Sequence, residues 1–208
     1  MNAAAKSDPA PTEATTLPEI GQPFEGGFFT GIYLQDGKRY AVITAPATHE
    51  LEGEWGEYGA KIEGADSFTD GRGNTEAMAA AGSELAKQVL ELSIGGHNDW
   101  AIPARDQQEL QYRNLKPTSA ENYCWGRDGD NPNSLPIGML YTKESPTKTT
   151  VGAFREGGSE AFRPTWYWSS SQRSANLALN MYFADGHQDT SDKGSELRVR
   201  PVRSTLID

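Results

Sequence analysis

One stretch of sequence decides the fold: Gly95-Gly96-His97-Asn98-Asp99-Trp100-Ala101-Ile102-Pro103-Ala104-Arg105-Asp106-Gln107-Gln108-Glu109-Leu110. Because glycine tolerates a positive φ, we expect the paired glycines to cap the end of a preceding helix. Pro103 fixes its own φ and disfavours helix at the residue before it, so residues 100–103 should be extended. Trp100 would then fill the space between two helices and the sheet that they cover. The stretch therefore predicts a helix–corner–helix joint that is architectural rather than catalytic.

Length and charge limit the class of protein. The 208 residues suit one domain with a sizeable core, and the formal net charge is −10. An acidic surface repels phosphate backbones and anionic lipid, so we expect neither a nucleic-acid partner nor a membrane partner. Cys124 is the only cysteine, which excludes an intrachain disulfide. The first residues lack a secretory-signal pattern and no apolar run reaches bilayer length, so we expect synthesis in a cytoplasm.

Flanking segments predict an α+β order. Aromatic and β-branched runs around Asp36-Gly37 predict a hairpin of residues 27–34 and 39–44. Apolar residues recur at helical spacing over 75–93, with Asn74 or Thr75 as the cap, and a shorter helix is predicted over 106–114. The C-terminal third predicts three strands, at 166–168, 177–183 and 197–203. In the middle one we expect the odd positions to be buried and the even positions to be exposed.

Two segments lack regular patterns. Residues 1–22 are rich in Ala, Pro and Thr, and we expect an extended N-terminal arm that neighbouring subunits hold in an assembly; packing on its own domain, 23–208, is the alternative. Residues 119–164 form a long irregular stretch, and insertions of this length inside a compact domain usually serve function or assembly.

The opening stretch resembles the signature Gly-Gly-x-x-Asp-Trp-x-(Leu/Ile)-Pro-(Ser/Thr)-x-x-Glu-Leu of a bacterial and phage family, the collagen-like adhesin C-terminal domain. The resemblance covers roughly residues 24 to 203. Matching motifs elsewhere in the chain are Glu54-Trp55-Gly56, Tyr167-Trp168-Ser169-Ser170-Ser171, Tyr182-Phe183-Ala184-Asp185-Gly186 and Leu197-Arg198-Val199-Arg200-Pro201-Val202-Arg203. The chain departs at Ala104, where the family prefers a Ser or Thr helix cap, a loss that typically costs about 1 kcal/mol.

This resemblance implies a C-type-lectin-like fold of the α+β class. Two helices would pack on a small curved antiparallel sheet, and residues 119–164 would be the long loop region that carries ligand recognition. Trp100, Pro103 and Trp168 would be structural residues, and the last strand would pair near the N-terminal hairpin. Similar sequences are typical of tailed phages, which implies a component of the virion.

Candidate ligand-binding residues lie where we expect an exposed strand face and its turns. Aromatic and amide groups on such a surface suit sugar or protein recognition. These residues are Arg173, Asn180, Tyr182, Gln188 and Asp189.

Metal and catalytic interpretations are less favoured. Asp128, Asp130 and Asn131 could offer oxygen atoms to calcium, but calcium takes six to eight oxygens. A solvated turn is the preferred interpretation of these residues. We therefore expect no metal and no cofactor. His97 with Asp99 and His187 with Asp189 are too close in sequence for a base and its orienting partner, and we expect Asp99 to bind turn amides. The enzymes that share this fold use a cysteine pair, which Cys124 alone does not supply. We therefore expect no enzyme.

The resulting hypothesis is a non-catalytic virion protein of a phage tail, baseplate or fibre that binds a host receptor. Its partners would be other virion proteins, bound through the arm, and a host surface glycan or pilus, and we expect a homo-oligomer. The alternative is a decoration or cement protein of the capsid or tail, whose arm stabilises the assembly.

Overall fold

The computed structural model describes residues 16–207, so residues 1–15 of the expected arm and Asp208 lie outside the described residues. The described chain contains three α-helices and two five-stranded sheets, so the predicted α+β class is confirmed. The helices are α1 (Gly71–Ala80), α2 (Glu84–Leu90) and α3 (Arg105–Leu115). The strands are β1 (Pro23–Phe24), β2 (Gly27–Gln35), β3 (Lys38–Thr44), β4 (Leu51–Glu54), β5 (Ser134–Leu135), β6 (Trp166–Gln172), β7 (Leu177–Tyr182), β8 (Gln188–Asp192), β9 (Glu196–Val199) and β10 (Val202–Leu206).

The first sheet has the strand order β1-β2-β3-β10, with β5 pairing to β2. Its centre is the predicted hairpin, which turns at Asp36 and Gly37, both with positive φ. Residues 16–22 run onto this sheet: the Gly21 amide donates to Phe29 O at 2.7 Å, and Leu17 packs against the apolar cluster behind the hairpin.

The second sheet has the order β4-β9-β6-β7-β8 and is antiparallel except for the parallel pair β6–β9. The predicted single last strand is wrong, because the chain breaks at Arg200-Pro201 and continues in the other sheet as β10. β10 pairs with β3 of the hairpin. The Arg200 side chain is fully buried at the crossing, with Nε 3.0 Å from Glu50 Oε1 and Nη1 3.1 Å from Ala45 O. This arginine therefore ties the two sheets together.

The helix predicted over 75–93 is two helices. Its apolar periodicity is real, but Gly82 adopts φ +103° and separates α1 from α2. Ser83 caps α2 by accepting from the Ala86 amide, and its hydroxyl donates to Trp55 O at 2.8 Å. The cap of α1 is Asp70, whose Oδ1 accepts from the Gly73 amide at 2.8 Å, and not Asn74 or Thr75 as predicted. A local cap and a buried contact thus override the periodic pattern.

The glycine pair also differs from the prediction. Gly95 and Gly96 close a two-residue turn in which the Ile94 and His97 backbones exchange hydrogen bonds of 3.0 and 3.1 Å, four residues beyond the end of α2. Both glycines have positive φ, and a Cβ on Gly95 would lie 2.4 Å from Gly26 Cα. The pair therefore serves a tight turn and a close backbone approach instead of a helix cap.

Trp100 is fully buried, as expected, but against the first sheet. It packs with Phe29 and Ile43, and its Nε1 donates to His97 O at 3.1 Å. The next residue, Ala101, exchanges backbone bonds of 2.8 and 2.9 Å with Val202, so this segment is extended as predicted. The Asp99 carboxylate makes a bidentate pair with Arg203 at 2.7 and 2.9 Å, instead of serving mainly turn amides.

Helix α3 matches the prediction for 106–114 and lies between the two sheets. The missing cap at Ala104 is replaced by tertiary acceptors: the Arg105 amide donates to Ser171 Oγ at 3.1 Å and the Asp106 amide to Phe68 O at 3.0 Å. The helix has a thin apolar stripe, yet most of its residues are buried. The glutamines of α3 can be buried because the side-chain amide of each one forms hydrogen bonds to a sheet.

We predict that Gly82→Ala lowers the free energy of unfolding by about 1–2 kcal/mol, because an L-residue is strained at positive φ while no atom obstructs the new methyl group. Urea unfolding measures this change. Gly194→Ala is the matched control, since it too meets open space but has no positive φ, and it should stay within about 0.5 kcal/mol. If the two variants lose equal free energy of unfolding, the positive φ at residue 82 is not what makes Gly82→Ala destabilising.

Candidate functional site

One end of the second sheet presents aromatic rings on the face that α1 and α2 cover elsewhere. α1 packs on β6 and α2 on β4, where Trp168 is buried on this face. Trp166 and Tyr182 are a cross-strand pair two residues farther along β6 and β7, with ring centroids 5.1 Å apart. Both rings are half-buried, because the helices do not extend over them.

Two more rings continue this pair into the loops. Tyr182 N donates to His187 O at 2.9 Å, which closes the β7–β8 turn and puts the His187 ring 5.6 Å from that of Trp166. Tyr123, from the long irregular region, stacks on His187 with centroids 3.8 Å apart. We call Tyr123, Trp166, Tyr182 and His187 the ring surface. It joins side chains from a strand pair, a turn and a loop into one row.

Exposed groups border the ring surface. Trp125, two residues beyond Tyr123, is 81% exposed. Asp189 is exposed and pairs in register with Asn180, so it lies on the same sheet face as Tyr182. Asp185 is half-buried in the β7–β8 turn, where its Oδ1 accepts from the His187 amide at 3.0 Å. The turn and strand beside the ring surface therefore carry two acidic side chains, and an exposed tryptophan follows Tyr123 in the loop.

The long irregular region is held to the sheet by buried polar contacts. The Tyr123 amide donates to Asp185 O at 2.8 Å. Asp128 is 4% exposed, and its Oδ1 accepts from the Gln188 amide at 2.6 Å. Lys116 is buried at the start of the region, and its Nζ donates to Asn122 Oδ1 at 2.6 Å. Burial lowers the pKa of the Lys116 ammonium, although the Asp185 charge opposes this shift. These contacts fix the position of Tyr123 relative to His187.

The predicted ligand-binding residues do not form one surface. Tyr182 belongs to the ring surface and Asp189 borders it. The expectation that Asn180 is exposed is wrong: it is 2% exposed, and its Nδ2 donates to Ser191 Oγ at 2.6 Å. Gln188 lies on the opposite sheet face, where its Oε1 accepts from Arg105 Nη2 at 3.2 Å and from the Gly129 amide at 3.1 Å. Arg173 is exposed at the other end of β7, about 17 Å from Tyr182 by strand geometry.

The alternation predicted for β7 fails because burial changes sides along the strand. Ala178 and Asn180 are buried under the cover of α1 and α2, whereas Leu177 and Leu179 are half-buried on the other face. Met181 is buried on that other face, against the aromatic cluster around α3. Both faces of the strand are thus covered over part of its length, which a single period of two does not describe.

The oxygen atoms that suggested calcium are engaged within the protein. Asp128 Oδ1 accepts from Gln188, and Asn131 Oδ1 accepts from the Ser134 amide at 3.1 Å. Asn131 Nδ2 points inward and donates to Glu109 Oε2 at 2.7 Å. The Asp130 carboxylate pairs with Arg127. Within residues 16–207 no cluster of three or more His, Cys, Asp or Glu side chains is arranged to hold a metal ion.

The remaining catalytic candidates are the pair of His187 with Asp189 and the cysteine. The His187 ring stacks on Tyr123 and makes a tilted contact with Trp166, while Asp189 Oδ1 accepts from the Thr190 amide at 2.8 Å. Cys124 is a half-buried free thiol. The imidazole of His187 therefore serves ring packing, and its neighbouring carboxylate Asp189 is bonded elsewhere.

Sequence reasoning found Tyr182 but missed Tyr123, Trp166 and His187. Trp166 was interpreted only as the start of a strand, and His187 only as half of a catalytic pair. The available signal was the aromatic–turn–histidine order of Tyr182 and His187 across Asp185-Gly186, which places both at the ends of one hairpin. Nothing in the sequence indicates that Tyr123 stacks there.

Comparison with known proteins leaves the resemblance without independent support. No model of a protein family matches the chain, and no curated protein matches it in sequence. In the described part of the chain, no helix has the length and apolar character needed to cross a membrane.

We predict that Asp128→Ala loosens the attachment of the long region. Loss of a buried hydrogen bond to a charged acceptor should lower the free energy of unfolding by about 1.5–3 kcal/mol and speed hydrogen exchange at the Gln188 amide. Asp130→Ala is the control, because among residues 16–207 its carboxylate pairs only with Arg127, whose side chain is 78% exposed. That change should stay within about 1 kcal/mol. Unchanged exchange at Gln188 in Asp128→Ala would contradict the assigned role.

Proposed function

We propose that this protein is a non-catalytic recognition domain with a C-type-lectin-like fold, carried on the tail, baseplate or fibre of a tailed phage. Its ring surface binds a receptor on the host surface. The observation that carries the proposal is the row of four half-exposed rings, assembled from the long loop region and one end of the second sheet.

The rings suit recognition for a physical reason. Aromatic side chains provide large, flat contact areas and lose little conformational entropy on binding, since each has only two side-chain torsions. The stacked contact of Tyr123 with His187 and the tilted contact of Trp166 with Tyr182 restrict these torsions before any partner arrives. Preorganisation of this kind reduces the cost of binding.

Three features support the C-type-lectin-like fold beyond the sequence resemblance. β10 returns to pair with the N-terminal hairpin, which brings the two ends of the described chain together. The long region between α3 and β6 contains only the short β5 and one 3-10 turn, Gly152–Phe154. Trp100 and Trp168 are both fully buried, and Pro103 O accepts from the Ser170 amide at 2.8 Å, as expected of structural residues.

The test is binding of the purified protein to intact host cells. Trp166→Ala and Tyr182→Ala should each weaken binding about tenfold, since one lost ring contact is worth about 1.4 kcal/mol. Tyr58→Ala is the matched control: Tyr58 is 59% exposed, and the neighbouring Gly59 amide donates to Ala175 O at the opposite end of β7. Circular dichroism checks that each variant folds. If all three variants bind host cells as tightly as the parent protein does, the ring surface takes no part in host attachment.

A decoration or cement protein is the second candidate, favoured by a different surface. Ile137, Met139 and Leu140 are 61%, 72% and 48% exposed on the long region. Ile137 borders a groove of about 230 Å³ that also includes Ile20, in the segment that follows residues 1–15. Exposed apolar groups of this size on one loop are typical of protein contacts.

We predict that this second role, if present, depends on the apolar loop and not on the rings. Met139→Ser combined with Leu140→Ser, or deletion of residues 1–22, should abolish sedimentation of the protein with phage particles that lack it. Trp166→Ala should sediment normally. Loss of sedimentation in Trp166→Ala alone would contradict this assignment.

A further inference from the structure

We propose that the ring surface binds the flat carbon–hydrogen face of an uncharged pyranose unit in a host polysaccharide, and that it does so without calcium. This inference rests on the proposed function of the same surface.

Charge selects against acidic sugars. None of the four ring residues is Lys or Arg, and both border residues, Asp185 and Asp189, are acidic. The chain as a whole carries a formal charge of −10. A carboxylated or phosphorylated sugar brought to this border meets like charges at short range. The nearby Lys116 ammonium is buried, and its Nζ already donates to Ala120 O, Asn122 Oδ1 and Pro146 O.

The border also matches what a neutral sugar offers. Hydroxyl groups donate hydrogen bonds, and carboxylate oxygens accept them. Asp185 accepts one bond, from the His187 amide, and Asp189 accepts one, from the Thr190 amide. Since a carboxylate has about four acceptor positions, each retains capacity for a hydroxyl. The ring faces complement the apolar side of the same pyranose ring.

Calcium is not needed because the loop that would supply its ligands is used in folding. Asp128 and Asn131 are 4% and 0% exposed, and a side-chain oxygen of each one accepts a hydrogen bond from a backbone amide of the protein. Because both side chains are closed off from solvent, a cation could reach them only if the long region, and with it Tyr123, moved away from the sheet. The residues that suggested a calcium site therefore do not fit one.

The experiment measures binding to matched neutral and anionic polysaccharides by microarray and calorimetry. The probes are dextran, mannan and galactan, each compared with its own carboxymethylated derivative. Each measurement is made in EDTA and again in millimolar calcium. The protein is the full chain, with Trp166→Ala, Trp125→Ala and Tyr58→Ala as variants.

The expected result is binding to at least one neutral polysaccharide, at least tenfold tighter than to its carboxymethylated form, with affinities equal in EDTA and in calcium. Trp166→Ala should weaken this binding about tenfold, while Tyr58→Ala leaves it unchanged. Trp125→Ala removes a ring that is 81% exposed, so it should fold normally and also weaken binding if the surface extends along the loop.

Three outcomes overturn the inference: tighter binding to the carboxymethylated forms, binding lost in EDTA and restored by calcium, or no binding to any neutral polysaccharide. The host-cell assay separates these failures from a failure of the proposed function. If host cells bind in a Trp166-dependent manner but neutral polysaccharides neither bind nor compete, the ligand class is wrong and the recognition role stands. If host cells do not bind at all, the recognition role itself fails.

Discussion

The structure depends on a helix whose polar side chains must find partners inside the protein. Gln107 Nε2 donates to Tyr33 OH and Ser204 Oγ of the first sheet, and Gln108 Nε2 donates to the Tyr167 and Trp168 carbonyls of the second. A buried amide that loses its partner costs about 1–3 kcal/mol. Because the two glutamines adjoin on α3 and bond to opposite sheets, sliding either sheet would leave several such groups unsatisfied. The helix therefore sets the relative position of the sheets.

The same helix holds the long irregular region. Glu109 is fully buried: its Oε1 accepts from Tyr141 OH at 2.8 Å and its Oε2 from Asn131 Nδ2 at 2.7 Å, while Arg113 Nε lies 2.7 Å from Oε1. Burial raises the pKa of the Glu109 carboxyl, and the Arg113 charge and these two donors oppose that shift. Asp106 Oδ2 accepts from Asn133 Nδ2 at 2.8 Å. A region with little regular structure is thus positioned by hydrogen bonds to α3, and the same region carries Tyr123 to the ring surface.

Local sequence patterns predicted much of the fold but little of the site. The Asp36-Gly37 hairpin and α3 form as expected, because turn chemistry and Pro103 act within a few residues. The break at Gly82 was missed because apolar periodicity continues across it. Two helices form because Gly82 has a positive φ, Ser83 caps α2, and the Ser83 hydroxyl also donates to the buried Trp55 O. Exposure of Asn180 was mispredicted for a similar reason. Its burial depends on what α1, α2 and β8 cover, which alternation along one strand does not encode.

The position of the ring surface follows from incomplete cover of a sheet face. Five strands span about 19 Å between the outer ones, whereas α1 and α2 are about 15 and 10 Å long. One helix of 19 residues over 75–93 would be about 28 Å long and able to cross the whole face. Two short helices, turned at Gly82, pack on β4 and β6 and leave the ends of β6 and β7 without a lid. Trp168 lies under these helices and is fully buried, whereas Trp166, two residues earlier on the same face of β6, lies beyond them and stays half-exposed.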